Sequence, residues 1–408
     1  MSKPTAPPRQ PTVLCIASYR KGDRFLVAAK QQGWKVLLLT SKSLEDSDWP
    51  REHLDNIYFI PDVEKQWHMP DVIKGVSYLA RTVKIDRVVA LDDFDVEKAA
   101  AIREHLRIAG MGDTTARYFR DKLAMRTRAK EVGIAIPDFV PVVNHDEIRD
   151  FLARVPAPYV LKPRMMAAAI GIRKVASADD LWPLLEALGD EQSFFVLERF
   201  LPGDVFHVDS VVADYKVRFA VASQYATPPL ETSHDGRVFV TRTIKRRGAD
   251  ERALLKFNQI LLKALGMRQG VSHSEFIKGR ADGTFYFLET SARVGGAHIV
   301  DLVEAATGVN LWVEWARLEC RPDDEPYSLE PPRREYAGLM VSLARQERPD
   351  LSAYDDPEVT WRLDKAHHAG LIVRSSSLPR VEALLDSYTE RFYLDFFAKV
   401  AARQKASE

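Results

Sequence analysis

The first quarter of the chain alternates short apolar runs with a stretch of helical periodicity. Apolar residues repeat with a helical period over 72–83, and four apolar runs have the length of strands, namely 13–18, 35–40, 57–60 and 87–91. Strands and helices that alternate at this spacing are typical of a parallel sheet built from βαβ units. The pattern therefore predicts a Rossmann-like unit over residues 12–115. Its ligand stays open, because the first strand is not followed by the GxGxxG sequence of dinucleotide-binding proteins.

The middle of the chain has strands and helices in a less regular order, which predicts an α+β arrangement. Helical periodicity predicts helices at 117–132, 145–154, 179–188 and 250–265. Apolar or alternating runs predict strands at 159–162, 171–175, 194–200, 205–212 and 216–224. The last two of these strands are close enough along the chain to form an antiparallel meander.

The stretch 270–300 is predicted to be a β-hairpin with one carboxylate on each strand. Two alternating segments flank an Asp282-Gly283 pair, which favours a hairpin turn. Glu275 and Glu289 stand within these otherwise apolar, strand-prone segments. Charges in such strands are costly to bury unless a cation or a metal ion pairs with them. With Arg293 and two glycines directly after the hairpin, the pattern suggests a site for a divalent metal ion and a phosphate.

The last part of the chain is predicted to return to helices and strands after a break. Helices are predicted at 298–306 and 311–318, and the proline-rich, charged stretch 321–334 is predicted to be a linker. Strand candidates at 335–344, 360–363 and 369–374 precede a helix over 380–391.

Composition and charge limit the class of protein. The 408 residues, 46% of them hydrophobic, are enough for two or three packed units. The 58 basic and 58 acidic residues give a formal net charge of zero, which does not indicate a nucleic-acid or membrane-surface partner. The longest apolar runs are too short for a membrane span. Residues 1–11 are polar and proline-rich, which predicts a disordered tail rather than a secretory signal.

Cysteine usage indicates a reducing compartment. Cys15 and Cys320 are the only two cysteines, too few for a disulfide framework or a thiolate metal site. We therefore expect a cytoplasmic protein.

Two separated lysines, Lys122 and Lys162, are candidates for contacts with a ligand phosphate. Each stands at the edge of an apolar element, from which its point charge could reach a phosphate oxygen. Taken singly, a solvated surface lysine is the simpler explanation of each. The loop 165–170 follows Lys162 at the place where a phosphate-cradling loop is wanted. Its sequence is poor in glycine, and alanine disfavours the positive φ that such loops use.

Residues on two further strands could contact the rest of a nucleotide. The segment from Glu198 through Arg199 to Leu201 could receive an adenine ring, or it could be an ordinary strand end at the surface. His207 and Asp209 share one face of their strand and could bind ribose hydroxyls. The alternative is that His207 is a hydrogen-bonded core residue.

Other polar clusters have simpler explanations. Asp92, Asp93 and Asp95 follow a strand, where an open α/β sheet places its ligand, yet they could equally cap the helix that begins near Val96. The pair His367-His368 has no acidic or cysteine partner at metal-ligand spacing, so a metal role is not expected.

Five sequence pieces in one order resemble the ATP-grasp superfamily, which includes the ATP-binding domains of carbamoyl-phosphate synthase and biotin carboxylase. They are Arg-Asp-Lys at 120–122, Tyr-Val-Leu-Lys-Pro at 159–163, Val-Leu-Glu-Arg-Phe-Leu-Pro-Gly at 196–203, His-Ser-Glu-Phe at 273–276 and Leu-Glu-Thr-Ser-Ala-Arg-Val-Gly-Gly at 288–296. The resemblance covers about 117–310. It implies an ATP-grasp fold over 116–320, in which two α+β lobes clamp ATP, the smaller at about 140–200. A Rossmann-like pre-ATP-grasp domain would precede it, and a small α/β extension over 321–408 would follow.

The resemblance also implies a role for each matching residue. Lys122 and Lys162 would contact the ATP phosphates, while Glu198 would face the adenine amino group beside the Arg199 and Leu201 backbones. A residue on the strand from His207 to Asp209 would hold the ribose. The remaining roles concern the metal ions and the transferred group: Glu275 and Glu289 as magnesium ligands, Ser291 as the third ligand, and Arg293 beside the phosphate or acyl-phosphate.

Two departures from the superfamily pattern affect the site. Ser291 stands where an asparagine is usual, and a neutral hydroxyl is a poorer magnesium ligand than an amide carbonyl. The loop after Lys162 is poor in glycine, which puts its closure over the phosphates in question. Loops 165–170 and 226–248 are candidate lids that would exclude water from an acyl-phosphate.

The resemblance implies a ligase that uses ATP and Mg²⁺, with Mn²⁺ as an alternative ion, and joins a small carboxylate to an amine or similar nucleophile. We expect no nucleic-acid or membrane partner, and a homodimer stays open. The alternatives are a biotin-carboxylase-like enzyme and a non-catalytic ATP-binding regulatory protein. The missing glycine-rich loop counts against the first, whereas Ser291 and that loop are the features that would support the second.

Overall fold

The structure is a computed structural model that describes residues 9–167, 169–235, 237–322 and 324–398 and divides them into two units. The first unit contains the residues up to Ala116 together with Trp312–Tyr327. The second contains Arg117–Leu311 and the chain from Ser328 onward. Residues 1–8 of the predicted tail and residues 399–408 of the predicted C-terminal extension lie outside the described residues.

The first unit is built on a parallel sheet. In chain order its elements are β1 (Thr12–Ala17), α1 (Asp23–Gln31), β2 (Lys35–Ser41), β3 (Asn56–Ile60), β4 (Asp62–Val63), β5 (Gln66–Trp67), α2 (Met69–Ala80), β6 (Arg87–Ala90), α3 (Val96–Leu106) and α4 (Asp113–Arg117). The sheet order is β3-β2-β1-β6, with every neighbouring pair parallel. Its central strand β1 is buried along its whole length, which explains the uninterrupted apolar run in the sequence.

The acidic cluster of the first unit makes structural contacts. Asp92 accepts a hydrogen bond from the Phe94 amide at 3.0 Å and forms an ion pair with Lys21. Asp95 accepts a hydrogen bond from the Ser18 amide at 2.7 Å and pairs with Lys98 at 2.7 Å. Asp92 thus caps the single 3-10 turn at Asp93–Asp95 that leads into α3, whereas the Asp95 side chain makes no capping hydrogen bond to α3 itself.

The second unit contains the remaining elements. They are α5 (Lys122–Glu131), β7 (Phe139–Pro141), α6 (His145–Arg154), β8 (Tyr159–Pro163), β9 (Arg173–Val175), α7 (Ala178–Leu188), β10 (Phe195–Arg199), β11 (Gly203–Ala213), β12 (Lys216–Tyr225), α8 (Pro229–Asp235), β13 (Phe239–Thr243), α9 (Ala249–Ala264), β14 (Gly270–Gly279), β15 (Phe285–Ser291), α10 (Ile299–Thr307), α11 (Leu311–Glu319, most of which belongs to the first unit), β16 (Tyr336–Leu343), β17 (Val359–Arg362), β18 (His368–Ser375) and α12 (Leu378–Asp395).

Two antiparallel sheets organise the second unit. The smaller has the order β7-β10-β8-β9, and α6 and α7 pack their apolar residues against it. The larger has eight strands in the order β15-β14-β11-β12-β13-β16-β18-β17. The three strands that follow the predicted linker therefore continue the same sheet as the hairpin, rather than forming a sheet of their own.

The helix predicted over 117–132 is wrong in its first part. The structure has two helices there, because α4 ends at Arg117 and α5 begins at Lys122. The Asp121 side chain accepts hydrogen bonds from the Leu123 and Ala124 amides and thereby caps the start of α5. This cap fixes where Lys122 lies.

The loop predicted over 226–248 contains a strand that the sequence pattern did not reveal. Strand β13 pairs with β12 on one side and with β16 on the other, so it is an interior strand of the large sheet. Residues 241–243 pair with β12 and residues 239–242 pair with β16, so the prediction that the whole loop is a lid is wrong for this part. Within the described ranges, no helix combines the length and apolar character that crossing a bilayer requires.

Candidate functional site

The hairpin β14–β15 places its two carboxylates directly opposite each other. Glu275 pairs with Glu289 in the antiparallel register, and a bulge follows between Glu275 and Phe276. The Glu275 side chain is 15% exposed and the Glu289 side chain 31%. Like charges on directly opposite strand residues destabilise a sheet. Such a pair needs cations, and its carboxylate oxygens are the ligands that Mg²⁺ prefers.

Lys122 supplies one of these cations. Its Nζ lies 2.9 Å from Glu289 Oε2 and donates a hydrogen bond to the Met166 carbonyl at 2.6 Å. Its backbone amide donates to the Arg164 carbonyl at 3.0 Å. The start of α5, the loop after β8 and the hairpin thus converge at one buried lysine, so the simpler alternative of a solvated surface lysine is wrong for Lys122.

Lys162 is held by Glu198 rather than standing in solvent. Its Nζ lies 2.7 Å from Glu198 Oε2, and Arg126 Nε lies 3.0 Å from Glu198 Oε1. Burial acts to raise the pKa of Glu198, but the charges and hydrogen bonds of Arg126 and Lys162 lower it to about 2. The Glu198 carboxylate is therefore ionised and engaged by two cations. Its predicted contact with an adenine amino group stays a prediction.

Arg126 was not predicted, although it is fully buried in the site. It lies one helical turn after Lys122 on the same face of α5, and its guanidinium carbon lies 5.5 Å from the centre of the Phe287 ring. The available signal was its position: it shares a helix face with Met125 and Ala129, which are buried. A charged residue on the buried face of a helix requires a partner of opposite charge.

His207, Asp209 and His273 form a buried hydrogen-bonded group. His207 Nδ1 lies 2.7 Å from one Asp209 oxygen, and His273 Nδ1 lies 2.9 Å from the other. Burial acts to lower the pKa of His273, yet the Asp209 carboxylate raises it to about 9. Burial acts to raise the pKa of Asp209, but the two imidazoles hold it far below its ordinary value. This geometry favours the core alternative for His207, and the ribose contact stays a prediction.

Tyr225 joins this group to the metal-ligand candidate Glu275. The Tyr225 hydroxyl donates a hydrogen bond to Glu275 Oε1 at 2.7 Å, and His273 Nε2 lies 3.5 Å from the same oxygen. Burial acts to raise the pKa of Glu275, but His273 and the Tyr225 hydroxyl together bring it below its ordinary value. Tyr225 was not predicted, because one tyrosine at the end of a strand carries no signal of its partner.

The other predicted residues lie at the edges of this arrangement. Ser291 is the register partner of His273, two residues beyond Glu289 on the same strand. Burial raises the pKa of Tyr225, and for His273 burial acts to lower the pKa while Asp209 raises it. The positive charge of Arg293 opposes both upward shifts. The Arg293 Nη1 also donates a hydrogen bond to the Val294 carbonyl at 2.7 Å.

The expected adenine segment adjoins the end of β10. The Arg199 amide donates to the Asp138 carbonyl at 2.8 Å, and the side chain of Arg199 is half exposed. Leu201 is partly exposed in the turn before β11. These positions leave the predicted adenine contacts untested.

In the loop after Lys162, one residue that is not glycine has a positive φ. Ala169 has φ 58° and Gly171 has φ 71°. Residue 168 lies outside the described residues, so the loop is described only in part. A non-glycine residue in this conformation stores strain of the kind found at functional sites.

Carboxylate and hydroxyl oxygens of the hairpin suit a hard divalent cation. Glu275, Glu289 and Ser291 lie on neighbouring strands at consecutive register positions of one face. Lys122 at 2.9 Å from Glu289 and His273 at 3.5 Å from Glu275 partly offset the charge of the two carboxylates. The three side chains supply oxygen donors of the kind that fits Mg²⁺.

The chain is similar in sequence to a ligase that acts on amino acids. No family model matches the chain. The chain is 24% identical over 267 residues to an L-arginine-specific L-amino acid ligase of Bacillus subtilis, a match that covers 63% of this chain and 62% of that protein. The match thus spans less than two thirds of that relative's length.

Two solved structures share the fold over nearly the whole chain. An L-amino acid ligase from Bacillus licheniformis has a TM-score of 0.74 at 18% identity and covers 96% of this chain and 100% of its own. A carboxyaminoimidazole ribonucleotide synthase from Aspergillus clavatus complexed with ATP has a TM-score of 0.70 at 15% identity, covering 94% and 99%. With the five sequence pieces and the opposed carboxylates, these matches identify the chain as a protein of the ATP-grasp fold.

Proposed function

We propose that the protein is an ATP- and Mg²⁺-dependent ligase that activates a carboxylate as an acyl-phosphate for attack by an amine. The observation that carries the proposal is the opposed pair Glu275 and Glu289 with Lys122 at 2.9 Å. This is an arrangement of two acids and a cation suited to Mg²⁺ and a phosphate group. The similar proteins named as amino acid ligases, and one structure complexed with ATP, support the same chemistry.

In this proposal each charged residue of the site has a separate role in phosphoryl transfer. Lys122 and Lys162 contact the ATP phosphates as point charges. Glu275 and Glu289, with Ser291 as a weaker ligand, hold Mg²⁺, which offsets charge on the phosphates when bound. Arg293 lies beside the transferred phosphoryl group and stabilises the negative charge of the acyl-phosphate. Positioning and electrostatics supply most of the catalysis in such transfers.

The nucleotide base and sugar occupy the adjoining strands in the same proposal. The Arg199 and Leu201 backbones line the adenine edge, with Glu198 near the amino group. Glu198 also keeps Lys162 in place through its 2.7 Å ion pair. A residue on the strand from His207 to Asp209 contacts the ribose through a group other than the His207 and Asp209 side chains, which are fully buried in hydrogen bonds.

The proposed domain roles follow the order of the chain. Residues 12–115 form the Rossmann-like pre-ATP-grasp domain and 116–320 the ATP-grasp domain, with its small lobe at about 140–200. Residues 321–408 form the C-terminal extension. The two lobes clamp ATP between them, as the superfamily resemblance implies.

The substrates proposed here are amino acids. The relative and the structure named as L-amino acid ligases favour a free amino acid as the carboxylate and a second as the amine. We propose a cytoplasmic location, Mg²⁺ with Mn²⁺ as a substitute, no nucleic-acid partner, and a homodimer as the assembly to test. The glycine-poor loop counts against carboxylation of biotin, and a non-catalytic nucleotide sensor is the second candidate.

Release of ADP tests the proposal and separates these candidates. We expect the purified protein to release ADP with MgATP only when pools of amino acids supply a carboxylate and an amine. Glu289→Gln should lower this rate by at least about a hundredfold, since it removes one of the two opposed charges. Glu131→Gln, an exposed acid paired with Arg128, is the matched control and should keep the rate. Binding of ATP without turnover under every pool would instead identify a sensor.

A further inference from the structure

A chain of buried polar side chains runs through the large sheet and ends at Glu275. Its members lie on four neighbouring strands in the sheet order β14, β11, β12 and β13. We call it the Glu275 relay: Thr241, His207, Asp209, His273, Tyr225 and Glu275. The successive contacts are 2.8 Å from Thr241 Oγ1 to His207 Nε2, 2.7 Å from His207 to Asp209, 2.9 Å from Asp209 to His273, 3.4 Å from His273 Nε2 to the Tyr225 hydroxyl, and 2.7 Å from that hydroxyl to Glu275.

The strands fix the relay in place. His207 is the register partner of Glu275, and Asp209 is the register partner of His273, so β11 and β14 align the two pairs. Each of the first five members is buried, and only Glu275 is partly exposed. A buried network in which every member has a partner makes its side chains rigid. The relay therefore holds the Oε1 oxygen of Glu275, whose side chain is 15% exposed.

The group of His207, Asp209 and His273 could also be considered as a metal site, since its donor atoms lie within 4.8 Å of one another. Bonds of 2.0–2.1 Å to a tetrahedral ion would keep two ligand atoms about 3.3 Å apart. The nitrogen–oxygen distances of 2.7 and 2.9 Å are shorter and are those of hydrogen bonds. The geometry therefore favours a proton-bridged group.

The relay also lies beneath the backbone that follows Arg293. A methyl group added to Gly295 would lie 3.0 Å from Asp209 Oδ1 and 2.6 Å from Ile299 Cγ2. The glycine thus lets the backbone approach the Asp209 carboxylate closely. The Asp209 carboxylate thus binds His273 on one side and has the backbone at Gly295 packed close to it on the other.

We infer that Tyr225 and Asp209 are positioning residues that fix Glu275 in the orientation needed to bind the divalent cation. The inference rests on the proposed function, which makes Glu275 a metal ligand. Glu275 faces the like-charged Glu289, so without a donor on Oε1 its carboxylate turns away from that charge and from the shared cation. Outer hydrogen-bond partners of metal ligands typically contribute 10–100-fold to metal affinity.

Calorimetric titration of ADP at a series of free Mg²⁺ concentrations tests this inference without requiring turnover. The midpoint is the Mg²⁺ concentration at which Mg²⁺ has produced half of its effect on ADP affinity. We expect Tyr225→Phe to raise this midpoint about tenfold, while the ADP affinity without Mg²⁺ stays at the wild-type value. Tyr354→Phe is the matched control, because it removes a buried hydroxyl bonded to Asp395 at 2.8 Å in another part of the unit. This control should keep the wild-type midpoint.

Asp209→Asn provides a second variant should Tyr225→Phe fail to fold. It preserves the side-chain shape but can no longer accept hydrogen bonds from both imidazoles, and its midpoint should also rise. A wild-type midpoint in a folded Tyr225→Phe or Asp209→Asn protein overturns the positioning role. A wild-type protein whose ADP affinity does not depend on Mg²⁺ would instead contradict the proposed function, so the two failures are distinguishable.

Discussion

At the scale of single residues, the charge of Glu198 is important for the stability of the fold. Its carboxylate is 1% exposed and lies between Arg126 and Lys162. A buried ion pair contributes little beyond what a well-packed apolar pair would, but removing one partner leaves an uncompensated charge. The fully buried guanidinium of Arg126 would be left in that state. Glu198 thus has a structural role whether or not it contacts a nucleotide.

Glu198→Gln should destabilise the fold by about 3 kcal/mol near neutral pH. The folded-state pKa of Glu198 is about 2, below its ordinary value, so its contribution is fully present above that ordinary value and is lost as the pH falls through about 2. Urea denaturation at several pH values should therefore show that the difference in the free energy of unfolding between wild type and variant decreases toward pH 2. Glu131→Gln should leave the free energy of unfolding at the wild-type value. A loss of stability in Glu198→Gln that does not change with pH would contradict an ionised, paired Glu198.

Ser291→Asn should strengthen metal binding if the hairpin is the cation site. An amide carbonyl is a better ligand for Mg²⁺ than a neutral hydroxyl. The strand register places residue 291 opposite His273, two positions from the Glu275–Glu289 pair. The Mg²⁺ concentration at the midpoint of ADP binding should fall several-fold. Ser375→Asn, at the end of β18, should leave it unchanged. A midpoint that does not fall would remove residue 291 from the ligand set.

Single residues could be predicted only where their sequence context carried chemistry. Lys122 and Glu289 were placed in one site by the order of motifs, and the structure brings them to 2.9 Å. Arg126 and Tyr225 were missed because their partners are distant in sequence and are selected by tertiary packing. A lone arginine in a helix and a lone tyrosine on a strand are compatible with many surroundings.

At the scale of elements, strand and helix patterns were most informative where an apolar face is regular. The hairpin, with its alternation and Asp-Gly turn, is present as β14 and β15. Strand β13 was missed because only five residues, FVTRT, separate two polar loops. Its stability comes from pairing on both edges, which a local pattern does not reveal.

The junction between β11 and β14 requires a residue without a side chain. A methyl group at Gly203 would lie 2.2 Å from the Lys278 carbonyl oxygen, so the two backbones are too close for alanine. Gly203→Ala should lower the thermal midpoint, at a cost of about 1–3 kcal/mol. Gly75→Ala in α2 has open space around it and should raise stability by about 0.5–1 kcal/mol. Equal effects of the two changes would contradict the close approach.

At the scale of the whole molecule, the C-terminal strands are part of the candidate-site sheet. Strands β16, β17 and β18 extend the sheet that begins at the hairpin, and α12 packs on them over a shared apolar core that includes Val238 and Val240. The sequence predicted these elements but assigned them to a separate extension. Periodicity identifies elements and cannot state which strand pairs with which, because pairing depends on long-range packing.

Transfer of oxygen from the substrate to phosphate tests the central claim most directly. If the carboxylate is phosphorylated and the amine then attacks the acyl carbon, the C–O bond to the phosphate breaks. The released phosphate must then keep one carboxylate oxygen. With an ¹⁸O-labelled amino acid carboxylate, MgATP and an amine, we expect mass spectrometry to find one ¹⁸O per phosphate released with product. Product formation with unlabelled phosphate would contradict the acyl-phosphate route.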